Sequence, residues 1–359
     1  MMMKLLSIAC LLAILQPFPA QAQVETEDRL WGLYKEGRFE DVVREGKVEL
    51  ATGTPSAQVN LAVGRALVDL EKFGEGLPYL EQAVRGDPEQ TWVYAWAQCY
   101  LGTGQYRLGN FQKSRAALIK ARDCAATVNA TRFAVGNLRI LGLAESYDDW
   151  ATFSTERFAF HYSPNLTGFD GLTFARLHEE AFEKISAWFG SGPSEPIRFF
   201  VWKDKDEALV ANMPPLGFAR PELDLVHARA EQTVGHEMTH VISHHAMHPE
   251  YVIGLINEGI AVYHDQTDRD QMALAREALT DAPELSIQVE LAALWEDWSL
   301  LPGEISYPIG GAWVKVLIDK GGKEKFLDFF RDQGLVNARE VYGSDLQVWM
   351  DEFSDALYR

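Results

Sequence analysis

Cysteine is nearly absent, with three residues in 359, and this excludes a small scaffold stapled by disulfides. Basic residues are scarce relative to acidic ones: 33 Lys and Arg stand against 52 Asp and Glu, for a net charge of -19. That balance would repel a phosphate backbone over any large surface, so nucleic acid is excluded as a partner. Long apolar runs are missing too. None reaches the roughly 20 residues that a membrane-spanning helix needs, and a mean hydropathy of -0.15 excludes a polytopic membrane protein. What remains is 47% hydrophobic and 24% charged, the composition of a globular chain and not of a disordered one. Its length is more than one compact core usually holds, which favours two domains.

Lys4 precedes an apolar run from Leu5 to Leu15, then Pro17, Pro19 and Ala20-Gln21-Ala22. This order of a positive end, a short apolar stretch and small residues predicts a secretory signal peptide over residues 1–22, cleaved near Ala22. The expected product is exported, periplasmic or secreted, with no transmembrane segment. A lipoprotein signal would use Cys10, but Ser7 stands where such signals usually carry Leu. Cleavage removes only Lys4 among the charged residues, leaving 32 basic against 52 acidic side chains and a net charge of -20. Cys99 and Cys124 remain, either as a disulfide, which an exported compartment permits, or as two buried thiols. Neither alternative implies catalysis or metal binding.

From Thr26 to Gly53 the sequence reads as helix, tight turn, helix, with the turn at Lys35 to Asp41. Turns at Leu70 to Glu75 and Arg107 to Gln112 repeat the pattern. Phe39, Phe73 and Phe111 mark the three turns at spacings of 34 and 38 residues, and the second unit closes with Gly86-Asp87-Pro88. These spacings resemble tetratricopeptide repeats. Residues 127–145 then predict a helix capping the stack. The resemblance implies a groove for a peptide or protein partner, near which Trp92, Tyr94, Trp96, Tyr100 and Tyr106 supply aromatic surface. The mixed spacing of those aromatics favours inter-helix core for most of them.

A boundary follows near Ser146 to Ala151. Arg157 to Tyr162 alternates like a strand, Gly171 to Phe189 has helical periodicity, and Pro196 to Trp202 again reads as a strand. Beyond that the pattern is nearly all helical. The expected fold class is α+β: an all-α helical-repeat domain over 23–148, then a domain over 149–359 with a small sheet first and a mostly helical C-terminal part.

The chemistry is concentrated at residues 236–258. His236-Glu237-Met238-Thr239-His240 is an HExxH pattern, with Val234, Met238, Val241 and Ile242 at helical spacing around it. Histidines four apart project from one face of a helix on successive turns and together can bind one tetrahedral Zn2+, while Glu237 lies beside the metal's open position. Eighteen residues after His240 stands Glu258, within Asn257-Glu258-Gly259. An HExxH helix followed by a helix carrying Asn-Glu-Gly is similar to the gluzincin metallopeptidases, and to the bacterial peptidase MA-like proteins among them. That resemblance implies one zinc per chain on His236, His240 and Glu258, with Glu237 as general base. A metzincin would carry its third histidine where Ala246 stands. His236 and His244 lie about 12 Å apart along a helix, too far to share one ion, so His244, His245 and His248 are read as surface or supporting groups.

Downstream, Tyr307-Pro308-Ile309-Gly310 leads into a helix that ends at Gly321-Gly322. In gluzincin aminopeptidases a Tyr-x-x-Gly in this place puts a hydroxyl beside the metal, so the resemblance gives Tyr307 the role of oxyanion donor. The alternative is a core tyrosine packed on Trp313. No Gly-x-Met-Glu-Asn segment precedes His236, which leaves aminopeptidase action unsupported and endopeptidase action expected. Leu216 to Arg220 takes the place of the family's cleft-lining strand, suited to holding an extended substrate. Val262 replaces an orienting carboxylate, with Asp265 as a weaker substitute. The expectation is an exported zinc metallopeptidase acting on peptides or proteins that its repeats help to select. The alternative from another class is a repeat-based binding, chaperone or scaffold protein carrying an inactive peptidase domain.

Overall fold

A computed structural model describes residues 19–52, 56–282 and 290–358. The expected signal segment and Cys10 fall outside the described residues, except for positions 19–22. The chain forms two compact units that divide between Ala144 and Glu145, a few residues before the expected boundary at 148. No helix among the described residues is long and apolar enough to cross a membrane.

The first unit is a run of helices, α1 (Pro19–Lys35), α2 (Phe39–Thr52), α3 (Ala57–Asp69), α4 (Phe73–Gly86), α5 (Trp92–Arg107), α6 (Phe111–Cys124) and α7 (Val128–Ile140). The same cap turns α1, α3 and α5 into their successors, and Leu143 and Gly142 repeat it at the end of α7. Arg38 N–H donates to the Leu33 carbonyl at 3.0 Å and Gly37 N–H to that of Tyr34 at 3.1 Å. Lys72 and Glu71 repeat the pair on Leu67 and Val68, and Asn110 and Gly109 repeat it on Gln105 and Tyr106. These are Schellman caps, whose penultimate residue takes a left-handed conformation. Gly37, Glu71 and Gly109 do so here, with φ of 73°, 58° and 72°, and Phe39, Phe73 and Phe111 each open the next helix.

A side chain in that conformation costs roughly 1 kcal/mol. Glu71 also makes a 3.5 Å contact with Arg107, but the carboxylate is largely exposed and the contact adds little. Glu71→Gly is therefore expected to stabilise the fold by about 1 kcal/mol, read as a higher unfolding midpoint in denaturant at unchanged slope. A lowered midpoint would show that the Arg107 contact outweighs the backbone strain.

Helices α1, α3, α5 and α7 lie side by side. Between them the Arg65 guanidinium sits 5.4, 4.6, 4.9 and 4.5 Å from the ring centres of Trp31, Tyr34, Trp96 and Tyr100. Tyr106 is core, packed on Phe111 at 5.2 Å, whereas Trp92 keeps an exposed edge. Cys99 and Cys124 are free thiols. Burial, helped by the neighbouring Cys124, pushes the Cys99 thiol up to about 12, which leaves it protonated and unreactive.

The second unit holds a mixed sheet of β1 (Ala151–Ser154), β2 (Phe158–Tyr162), β3 (Ile197–Trp202), β4 (Phe218–Arg220) and β5 (Leu225–Arg229), in the order β1-β2-β3-β5-β4. β2, β3 and β5 run parallel, and β1 and β4 are antiparallel edges. Its helices are α8 (Gly171–Phe189), α9 (Lys205–Val210), α10 (His236–Met247), α11 (Gly254–Tyr263), α12 (Gln271–Asp281), α13 (Leu291–Glu296), α14 (Gly303–Gly321), α15 (Lys323–Phe330), α16 (Leu335–Tyr342) and α17 (Asp345–Leu357). The fold class is α+β, as expected. The sequence reading of residues after Trp202 as nearly all helical is corrected by β4 and β5: a buried strand such as Leu225 to Arg229 shows no alternation that would separate it from a helical segment.

On one face of the sheet Phe158, Phe160 and Phe199 pack with Phe174, His178 and Phe182 of α8. On the other, the strand register aligns His161, Phe200, His227 and Phe218 into one stack, with successive ring centres 4.4, 4.6 and 4.9 Å apart. Burial, with some help from the Arg198 charge, pushes His161 down to about 4, so the stack holds a neutral imidazole at ordinary pH. Its last ring, Phe218, belongs to the edge strand beside the cleft described next.

Candidate metal centre

Three local devices bring the site together. Gly235, with φ of +106°, precedes α10 where a Cβ would meet the His264 carbonyl oxygen at 2.6 Å, so the chain enters the helix directly alongside residues 264 and 265. α11 crosses α14 at two glycines: a Cβ on Gly259 would lie 2.5 Å from the Gly310 carbonyl oxygen. That close approach sets Glu258 and Tyr307, one residue before and three before these glycines, on the same side of the crossing. Trp298 covers the junction, packing edge-on against Tyr307 at 5.7 Å.

His236, His240 and Glu258 present ligand atoms that all lie within 4.8 Å of one another. Glu258 Oε2 is 3.2 Å from His236 Nε2 and 3.4 Å from His240 Nε2. Tetrahedral zinc with bonds of about 2.0–2.1 Å separates its ligands by roughly 3.3 Å, so both distances suit one ion. Burial by itself would lower the His236 pKa, but the neighbouring carboxylates of Asp265, Glu258 and Glu237 overcome it and raise the group to about 10. The field that favours a proton on this ring also favours a divalent cation. Burial would raise Glu258, and the two histidines, His240 first, hold it well below the usual carboxylate range.

Supporting contacts also fit a metal. Asp265 Oδ1 is buried without a hydrogen bond and lies 3.5 Å from His236 Nδ1, placed to accept from Nδ1–H when Nε2 carries a metal. Asp265 thus stands where orientation is needed, while Val262 packs against Gly311. The Asn257 amide nitrogen lies 3.1 Å from His240 Nδ1. Rotated by half a turn, the same amide offers its oxygen to Nδ1–H, the tautomer that metal on Nε2 requires.

Glu237 is buried, and burial raises its pKa above the ordinary value. Its Oε1 accepts a 2.6 Å hydrogen bond from Gln232 Nε2. Gln232 also accepts from Arg229 N–H at 3.3 Å, which fixes the amide's orientation. Sequence reasoning missed Gln232, because a glutamine in an irregular loop carries no pattern. Tyr307 packs 5.9 Å from the His236 ring, and burial followed by the charges of Glu258 and Glu237 pushes its hydroxyl up to about 12. It does not pack on Trp313, whose ring neighbours are Trp295 and Phe353.

His236, Glu237, His240, Asn257, Glu258 and Tyr307 line a cleft of about 400 Å³, walled by Leu216, Gly217, Phe218 and Ala219 on one side and Pro249 and Val252 on another. The cleft-lining role expected for residues 216–220 therefore falls on β4 and the turn before it. His244 also faces the cleft, His245 pairs with Asp224 at 2.6 Å, and His248 terminates α10 in a left-handed conformation. None of the three joins the ligand group among the described residues. No protein-family model matches the chain, and no curated protein matches it.

Proposed function

We propose that the protein is an exported zinc metallopeptidase of the gluzincin type that cleaves peptide bonds within extended chains. The observation that carries this reading is the buried carboxylate of Glu237 in the cleft beside the His236, His240 and Glu258 donors. A structural zinc site needs a fourth ligand and has no use for a general base. When bound, zinc supplies Lewis acidity toward a substrate carbonyl and a water.

This chain's residues supply the rest. Glu237, aimed by Gln232, takes the proton of the attacking water and returns it to the leaving amine. Tyr307 keeps its phenolic proton at ordinary pH and donates it in a hydrogen bond to the carbonyl oxygen as charge develops there. β4 is an edge strand, along which an extended substrate can add itself to the sheet. The export reading rests on residues 4–22. The tetratricopeptide-like reading rests on the identical caps that end α1, α3 and α5, and assigns the first unit to binding a substrate or partner protein.

Chelation should abolish hydrolysis of an unfolded protein, and zinc should restore it in proportion up to one equivalent per chain. Full activity in metal-free protein would refute the proposal. Tyr307→Phe is expected to lower kcat by roughly 10²–10³-fold with little change in KM, as for loss of one oxyanion donor. An unchanged kcat would reduce Tyr307 to a packing residue under Trp298.

A further inference from the structure

Residues 249–253 form the wall between the cleft and a second cavity of about 630 Å³. Pro249 and Val252 line the cleft, whereas Tyr251 and Ile253 line the second cavity. The wall is fastened from behind. Glu250 N–H donates to the Arg331 carbonyl at 2.8 Å, Gln333 N–H to that of Tyr251 at 3.0 Å, and Ile253 N–H to Gln333 Oε1 at 2.8 Å. The Trp295 indole donates to the Gln333 carbonyl at 2.8 Å, tying α13 to the same strip.

The lining of this cavity has a definite chemistry. Glu296, Asp332 and Glu340 contribute three carboxylates, and among the described residues that line it there is no lysine, arginine or histidine. Asp332 accepts from Gly334 N–H at 2.9 Å. Tyr251 adds an exposed aromatic ring, and Leu335 and Val336 add aliphatic surface, over the fully buried Trp295. Tyr251, Val252 and Val336 are 57%, 51% and 71% exposed, an apolar strip running from the mouth of the cleft over the wall to the cavity. A long side chain with an apolar stem and a cationic head matches such walls: the stem lies on the aliphatic and aromatic groups, and the head meets the carboxylates and a ring face.

We propose that the second cavity takes a lysine or arginine side chain of the same peptide or protein that occupies the cleft. The inference rests on the peptidase reading for the identity of its ligand. Glu296 and Glu340 are the residues that select the charge, and the wall at 249–253 sets their position relative to the scissile bond.

The test measures binding without turnover. Acetylated octapeptide amides of alanine, each carrying one arginine at a successive position, are titrated against full-length Glu237→Gln protein with zinc present. The same set with citrulline in place of arginine is the neutral control. At one position the arginine peptide should bind roughly tenfold more tightly than its citrulline counterpart, a difference typical of one ion pair with ring contact. In protein that also carries Glu296→Gln and Glu340→Gln, the ratio should fall to near one. No arginine preference at any position, or a preference that survives those two substitutions, overturns the proposal. Arginine preference in a protein whose wild type hydrolyses nothing would overturn the peptidase reading and leave the cavity's assignment standing.

Discussion

Glu237→Gln is expected to lower peptide turnover by roughly 10²–10⁴-fold, the contribution of a positioned general base, with zinc content and fold intact. The substitution keeps the side chain's shape and removes only its ability to take a proton. Glu237 is not among the three ligand donors, so the metal has no reason to leave. Gln232 Nε2 donates to Glu237 Oε1, and an amide oxygen at that atom accepts the same hydrogen bond. The side chain therefore stays buried in place, and burial costs the neutral amide less than the carboxylate. The measurement is kcat on an unfolded protein substrate, beside zinc content and thermal unfolding of both proteins. Turnover within a few-fold of wild type would remove Glu237 from the mechanism.

The second large effect is on the metal. His236→Ala with His240→Ala should reduce zinc from one equivalent per chain to background and abolish hydrolysis. Glu258 would remain as a lone carboxylate, short of the three protein ligands that catalytic zinc needs. It would also lose the two imidazoles that hold it in its ionised form, so a modest loss of stability is expected beyond the loss of metal. Among the described residues no other group of three or more His, Cys, Asp or Glu side chains is arranged to hold an ion. Stoichiometric zinc in the double variant would place the metal elsewhere in the chain.

How much of this was legible in the sequence depended on whether the information was local. His236 and His240 are four residues apart on one helix, and helical periodicity makes them neighbours. Phe39, Phe73 and Phe111 open helices because the turns before them carry their own local cap signals. Gly171 to Phe189 became α8 within the expected bounds. The strands β4 and β5 were harder, since short buried segments lack alternation and their identity comes from pairing with β3. At the site, Asp265 was in view as a weaker substitute for an orienting carboxylate, but its place beside His236 depends on how the chain passes Gly235. Gln232 and the second cavity left no sequence signal. The cavity is assembled from residues near 251, 295 and 335, which only the packing of α11, α13 and α16 brings together.

The most direct measurement is mass spectrometry of an unfolded protein incubated with the zinc-loaded chain in water enriched in oxygen-18. The account predicts new internal cleavage products whose C-terminal carboxyl groups each carry one heavy oxygen, formed by wild type and absent with Glu237→Gln. An intact substrate beside wild-type protein holding one zinc, or cleavage at equal rate by Glu237→Gln, would contradict it.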